Sequence, residues 1–169
     1  MPKMDIQVPA GMGGCVALAC AALDSGQARL LGLVQDLSPE QLEKVPAGLS
    51  NSLATLVVHV AATEVRMAHR LAGRPANDIP GDVRAEYLMD VPQNPLPQPR
   101  GETAATLRAK AEKARGMLRD ALAGLGDADL EREIVMGPER SGTVRWVLTI
   151  LPSHQMQHFG QMQMIRKFV

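Results

Sequence analysis

Residues 52–73 read SLATLVVHVAATEVRMAHRLAG, and this stretch decides the fold. Its apolar side chains recur every three or four residues, which is the period of one face of an α-helix. They are Leu53, Leu56, Val57, Val60, Met67 and Leu71, and the polar Glu64 falls on or near the same face between Val60 and Met67. Ser50 or Ser52 supplies an N-cap, and Gly73 followed by Pro75 ends the pattern. The stretch therefore predicts a long helix with one face in a core.

Three further segments carry the same period: residues 12–37, residues 103–125, and a last segment that begins at Ser141 or Thr143 and runs to 167. Residues 74–102 contain six of the twelve prolines and show no sustained period, so they predict a long connection of the kind that often packs over a site. We therefore predict an all-α four-helix bundle in which this Pro-rich connection joins helices 2 and 3, as a single domain over residues 1–169.

The composition argues against two classes of protein, nucleic-acid-binding proteins and membrane-spanning proteins. The chain has 169 residues with 18 Lys+Arg and 18 Asp+Glu, so it lacks the basic footprint of a nucleic-acid-binding protein. No run approaches about 20 apolar residues, and we expect no membrane span. The two cysteines, Cys15 and Cys20, are interpreted as small buried hydrophobic residues and favour a reducing compartment. These features predict a cytoplasmic protein that acts on a small molecule.

The candidate functional residues are the four histidines of the chain: His59, His69, His154 and His158. His154 and His158 lie one helical turn apart on the inward stripe of the last helix, and His59 interrupts the apolar stretch of the second. Three inward imidazoles from two helices can form a metal site with an open coordination position. Alternatively, they are core histidines hydrogen-bonded to carbonyl groups or to each other. His69 is predicted near the surface and outside the site.

Two other polar residues are candidates for a role near this site. Glu64 lies about 140° from His59 around the helix, which favours a surface or interface position over a general-base or metal-partner role. Gln161 is a candidate hydrogen-bond partner close to the histidines. No nucleotide-binding loop or nucleophile elbow is present, and neither cysteine is a convincing nucleophile. A metal-activated external nucleophile is therefore the chemistry that the residues favour.

The histidine-bearing segments resemble the DinB/YfiT-like superfamily. Residues 154–161 read HQMQHFGQ and match the H-x-x-x-H-x-G-Q signature of its last helix. Residues 56–64 read LVVHVAATE and resemble its second helix, which carries the first histidine. The resemblance implies a bundle with an up-down-down-up arrangement and a divalent metal, often nickel or zinc, on His59, His154 and His158. It also implies a homodimer.

The same resemblance implies an activity. Characterised members include thiol-dependent S-transferases and isomerases that use low-molecular-weight thiols such as mycothiol or bacillithiol. We therefore expect a metal site that activates a thiol or a water molecule. The alternatives are a metal-dependent hydrolase and a non-catalytic stress-response protein that binds a metal or a small ligand.

Overall fold

The computed structural model describes residues 12–137 and 139–169, and it is mostly helical. The first eleven residues of the predicted domain lie outside the described residues. The helices are α1 (Gly14–Gly32), α2 (Pro39–Glu43), α3 (Leu53–Leu71), α4 (Gly81–Glu86), α5 (Ala104–Leu122) and α6 (Val144–Arg166). Strands β1 (Glu133–Gly137) and β2 (Arg140–Thr143) pair antiparallel. This short hairpin departs from the all-α prediction.

Side-chain caps fix where three of the long helices begin. The hydroxyl oxygens of Ser52, Thr103 and Thr143 accept hydrogen bonds from backbone N–H groups at the starts of α3, α5 and α6. Such caps satisfy donors that a helix cannot satisfy internally. Of the two candidates that the sequence offered at each start, Ser52 caps α3 and Thr143 caps α6.

The four long helices contact one another in a closed ring. Helix α1 packs against α5 and α6, and α3 packs against the same two helices from the other side. Helix α3 is the most deeply placed, because 15 of its 19 residues are buried. The apolar residues of its stripe therefore lie in the core, as the period of residues 52–73 predicts.

One glycine allows α1 and α6 to approach closely. A Cβ atom at Gly26 would overlap the side-chain amide of Gln155, which is 1% exposed. With its amide nitrogen toward α1, Gln155 donates to the Leu23 carbonyl at 3.1 Å and accepts from Nη2 of Arg115 at 3.1 Å. A buried polar side chain therefore bridges three helices at the position where α1 has no side chain.

Residues 72–103 connect α3 to α5 and pack against both helices. The Tyr87 hydroxyl donates to the Lys110 carbonyl of α5 at 2.8 Å, and the Thr55 hydroxyl of α3 donates to Oε1 of Gln98 at 2.6 Å. Tyr87 is 1% exposed. Both ends of α3 thus lie beside this connection, which places its residues close to His59.

Within residues 12–137 and 139–169, no helix combines the length and the apolar character that crossing a bilayer requires.

Candidate metal centre

Three histidine rings from α3 and α6 converge. His59 comes from α3, and His154 and His158 come from successive turns of α6. Nε2 of His154 lies 3.1 Å from Nε2 of His59 and 3.0 Å from Nε2 of His158. The centroids of the three rings are 4.4–5.1 Å apart. The structure therefore brings together the three histidines that the sequence singled out.

The spacing of these nitrogens fits a single divalent ion. Imidazole nitrogens bound to zinc lie at about 2.0–2.1 Å, so two of them in a tetrahedral site are about 3.3 Å apart. The two Nε2 distances are close to that value, and one nitrogen from each ring lies within 4.8 Å of the others. In the described part of the chain, no other group of three His, Cys, Asp or Glu residues meets this condition. The donor set is all nitrogen, which suits zinc and nickel.

Gln161 orients one of the rings. Nδ1 of His158 lies 2.7 Å from Oε1 of Gln161, one turn further along α6. An Nδ1–H that donates to this oxygen leaves the lone pair of Nε2 directed at the other two rings, which is the tautomer that ligation through Nε2 requires. The hydrogen bond predicted for Gln161 is therefore present. Nδ1 of His59 is buried and has no partner among the described residues.

The surroundings keep all three rings neutral. Burial lowers the pKa of His59 to about 4; repulsion from His158 or His154, once either is protonated, and from the charge of Arg66 contributes to this lowering. Burial, with the charge of His158, also lowers the pKa of His154 to about 4. Burial lowers the pKa of His158, although its hydrogen bond with Gln161 acts in the opposite direction and raises the pKa. Because only neutral imidazole is a ligand, the site is ready to coordinate at pH 7.

The connection between α3 and α5 closes one side of His59. Residues from α3 and from the connection surround a space of only about 10 Å³ beside the ring; they are Thr55, Val58, Tyr87, Gln93, Leu96 and Pro97. That volume holds one water molecule at most. A ligand must therefore reach His59 from another side.

Glu64 lies in the core, and the prediction of a surface position is wrong. Its side chain is 3% exposed and accepts two hydrogen bonds from Arg115 of α5, at 2.6 and 3.1 Å. Burial raises the pKa of Glu64 to about 7 even though Arg115 lowers it. The carboxylate does not belong to the cluster of potential metal ligands, and a catalytic role for it stays a prediction.

Two further expectations are corrected. His69 is 6% exposed, so it is a buried residue, although it lies outside the ligand cluster as expected. It lines a pocket between α3 and α5 with Arg74 and Met117, and burial and the charge of Arg74 lower its pKa. Cys20 is buried as predicted, whereas Cys15 is exposed on α1.

Sequence reasoning missed one residue beside the cluster. Arg66 lies seven residues after His59, which places it about 20° away around α3 and about 10 Å along it. Its side chain is half-buried. The i, i+7 spacing on a helix that carries a candidate ligand was the signal that could have found it.

The comparisons with known proteins agree with this architecture. The family profile of the DinB superfamily matches residues 22–162. A crystal structure described as a conserved protein from Enterococcus faecalis is similar with a TM-score of 0.69 and covers 90% of this chain and 95% of that one. The identity is 16%, so this likeness concerns the fold alone. No curated protein matches the sequence.

Proposed function

The chain belongs to the DinB superfamily, and on that premise we propose that it is a metal-dependent enzyme with one divalent ion held by His59, His154 and His158. The observation that carries the proposal is the convergence of three neutral imidazoles, with Nε2 of His154 at 3.1 Å from Nε2 of His59 and 3.0 Å from Nε2 of His158. We further propose that the four long helices form the four-helix bundle of the DinB type, with the Pro-rich connection beside the site. Nickel or zinc is the ion that three imidazole donors favour.

When bound, such an ion supplies Lewis acidity and lowers the pKa of a thiol or a water molecule placed against it. Three neutral ligands leave its full positive charge in place, which favours an anionic nucleophile such as a thiolate. The chain's own residues keep the imidazoles neutral by burial, fix the tautomer of His158 through Gln161, and exclude bulk water from one side of His59.

The nucleophile is proposed to come from outside the chain. Burial raises the pKa of the Cys20 thiol, assisted by Asp24, so this side chain resists forming a thiolate. Cys15 is exposed on α1 and does not belong to the histidine cluster. A low-molecular-weight thiol that attacks an electrophilic small molecule is therefore the proposed reaction, and hydrolysis by water is the nearest alternative at the same residues.

The proposal also covers the cellular compartment, the oligomeric state and the class of substrate. Two unpaired thiols fit a reducing compartment, so we place the protein in the cytoplasm. A homodimer is expected from the family, and a small molecule rather than a nucleic acid is the expected substrate.

A thiol-consumption assay tests the activity. Protein loaded with nickel or zinc is incubated with bacillithiol, mycothiol or glutathione and a panel of electrophiles, and the remaining thiol is titrated. Turnover that requires both metal and thiol, and that His154→Ala abolishes, supports thiol transfer. Turnover with metal and no thiol shows hydrolysis instead. Metal-loaded protein with no turnover in either panel contradicts an enzymatic role and leaves metal or ligand binding.

A further inference from the structure

Helix α3 presents a single partly exposed stripe. Its half-buried residues are His59, Thr63, Arg66 and Arg70, and all its other residues are buried. Their spacings of four, three and four residues place them along one edge of the helix. The stripe starts at a candidate metal ligand and ends about 16 Å away at an arginine. It is the only side of α3 on which a ligand can reach this helix.

The two arginines of this stripe have no acidic partner. Within the described residues, no carboxylate oxygen lies within 4 Å of Arg66 or Arg70, and the one side-chain hydrogen bond of Arg70 goes from Nη1 to the Met136 sulfur at 4.0 Å. Burial lowers the pKa of Arg66, and the charge of Arg70 one turn away lowers it further. Two like charges at this spacing repel each other.

Three more arginines near the end of the stripe also lack an ion pair in the part of the chain that the structure describes: Arg74, Arg132 and Arg140. Elsewhere, seven arginines are each paired with a carboxylate, among them Arg84, Arg115 and Arg166. The chain as a whole has a net charge of zero. Five of the six arginines without an ion pair among the described residues therefore lie around the C-terminal end of α3 and the hairpin, and the sixth is Arg29 of α1.

A cavity of about 690 Å³ lies at this end of α3. Arg70, Arg74 and Arg132 contribute to its wall, together with apolar side chains of β1 such as Ile134 and Met136. Glu133 is the one acidic side chain in the wall, and it forms no salt bridge with another described residue. The cavity is large enough for a small organic molecule. Its wall combines cationic and apolar groups.

We propose that Arg66 and Arg70, with Arg74 and Arg132 around the cavity, form a binding site for the anionic end of an elongated ligand whose reacting end lies at the histidine cluster. Guanidinium groups bind carboxylates and phosphates through charge-assisted hydrogen bonds, and such bonds are strong where water is partly excluded. The position of the reacting end rests on the proposed function; the anion site itself does not. The substrate class is an acidic small molecule, either the nucleophilic thiol or its partner, that carries a carboxylate or phosphate about 10–16 Å from the reacting atom.

The site is tested first on metal-free protein by calorimetric titration at constant ionic strength. The probes are succinate, inorganic phosphate and the uncharged succinamide. Saturable binding of succinate or phosphate, with succinamide at least about tenfold weaker, is expected. The stronger of the two anions identifies the group that the arginines recognise. Equal binding of succinamide and both anions overturns the proposal.

Charge-neutralising variants locate the binding. Arg66→Gln and Arg70→Gln are each expected to weaken anion binding about tenfold or more. Arg29→Gln, which removes an exposed arginine of α1 without an ion pair in the described residues, is expected to leave it unchanged. Arg66→Gln is also expected to keep or raise the melting temperature, because it relieves repulsion and breaks no ion pair. A lower melting temperature with unchanged anion binding shows a structural arginine and contradicts the site.

A last titration tests whether one ligand binds both at the arginines and at the histidine cluster. Glutathione, which carries two carboxylates, is expected to bind metal-loaded protein at least about tenfold more tightly than its diethyl ester, and Arg66→Gln, about 10 Å from His59, should remove the difference. If thiol consumption is absent while anion binding to metal-free protein persists, the proposed reaction fails and the anion site stands. If thiol consumption occurs and the arginine variants bind every anion normally, the site fails and the reaction stands.

Discussion

At the scale of single residues, the histidine cluster is a costly arrangement without an ion. Three neutral imidazoles share few hydrogen-bond partners, and Nδ1 of His59 is buried without one in the described part of the chain. A buried polar atom without a partner costs about 1–3 kcal/mol. A bound ion would offset this cost, because it would be coordinated by the nitrogen lone pairs that the three rings direct at one another.

The low pKa values of His59 and His154 predict that metal-free protein loses stability in mild acid. Each ring titrates near 6.5 when unfolded and near 4 when folded, so below pH 6.5 the unfolded chain binds more protons and is favoured. The contribution of these two rings to the free energy of unfolding is fully present above pH 6.5, and it is lost as the pH falls toward 4. Because both rings are partly exposed, we expect a loss of about 1–2 kcal/mol between pH 7 and pH 5.

Urea unfolding of metal-free protein at several pH values measures this loss. The variant in which His59 and His154 are both replaced by Asn should show a shallower dependence over the same range. An identical dependence in the variant would show that other groups cause it.

Gln161 is predicted to tune the site through the orientation of His158. Gln161→Ala removes the acceptor at 2.7 Å from Nδ1 and frees the ring to rotate, so metal affinity should fall about 10- to 100-fold. Competition with a chromophoric chelator measures the affinity. Gln163→Ala, an exposed position on the same helix, is the matched control and should bind like wild type. Equal affinity of the two variants would refute a role for Gln161.

At the scale of helices, Gly26 sets the distance between α1 and α6. Alanine is favoured over glycine inside a helix by about 1 kcal/mol, but a Cβ at Gly26 displaces the buried amide of Gln155 from its hydrogen bonds. We expect Gly26→Ala to lower the free energy of unfolding by about 1–3 kcal/mol. Gly116→Ala, where a Cβ meets nothing within 4 Å, should instead raise it by up to about 1 kcal/mol.

Denaturant unfolding of both variants provides the comparison. Opposite signs for the two substitutions are the expected result. If Gly26→Ala is as stable as Gly116→Ala, the contact between Gly26 and Gln155 does not limit the packing of these helices.

The helices themselves could be predicted from sequence because their signals are local. The apolar period of residues 52–73, the hydroxyl caps and the prolines of residues 74–102 each act within a few residues. The burial of Glu64 could not be predicted in this way, because it depends on Arg115, which is 51 residues away and on another helix. The surface position expected for His69 was wrong for the same reason, since its burial depends on neighbours distant in sequence such as Met117 of α5.

At the scale of the whole molecule, the histidine cluster was predictable and the arginines were not. Histidine is rare in the chain, and three of the four lie on apolar stripes, so their convergence followed from the fold. Arginine is common, and whether an arginine is free to bind an anionic ligand depends on which carboxylates lie near it in the folded structure. Most arginines of the described structure pair with a carboxylate, and five of the six that do not lie at one end of α3 and on the hairpin, a distribution that composition cannot reveal.

The central claim is that His59, His154 and His158 form one metal site, and metal content after reconstitution tests it most directly. Wild-type protein without an affinity tag is loaded with nickel or zinc, desalted and analysed for metal beside the three single His→Ala variants and His69→Ala, each first shown to be folded by circular dichroism. About one ion per chain is expected in wild type and in His69→Ala, and close to none in His158→Ala or its two partners. Full metal content in His158→Ala, or its loss in folded His69→Ala, would contradict the account.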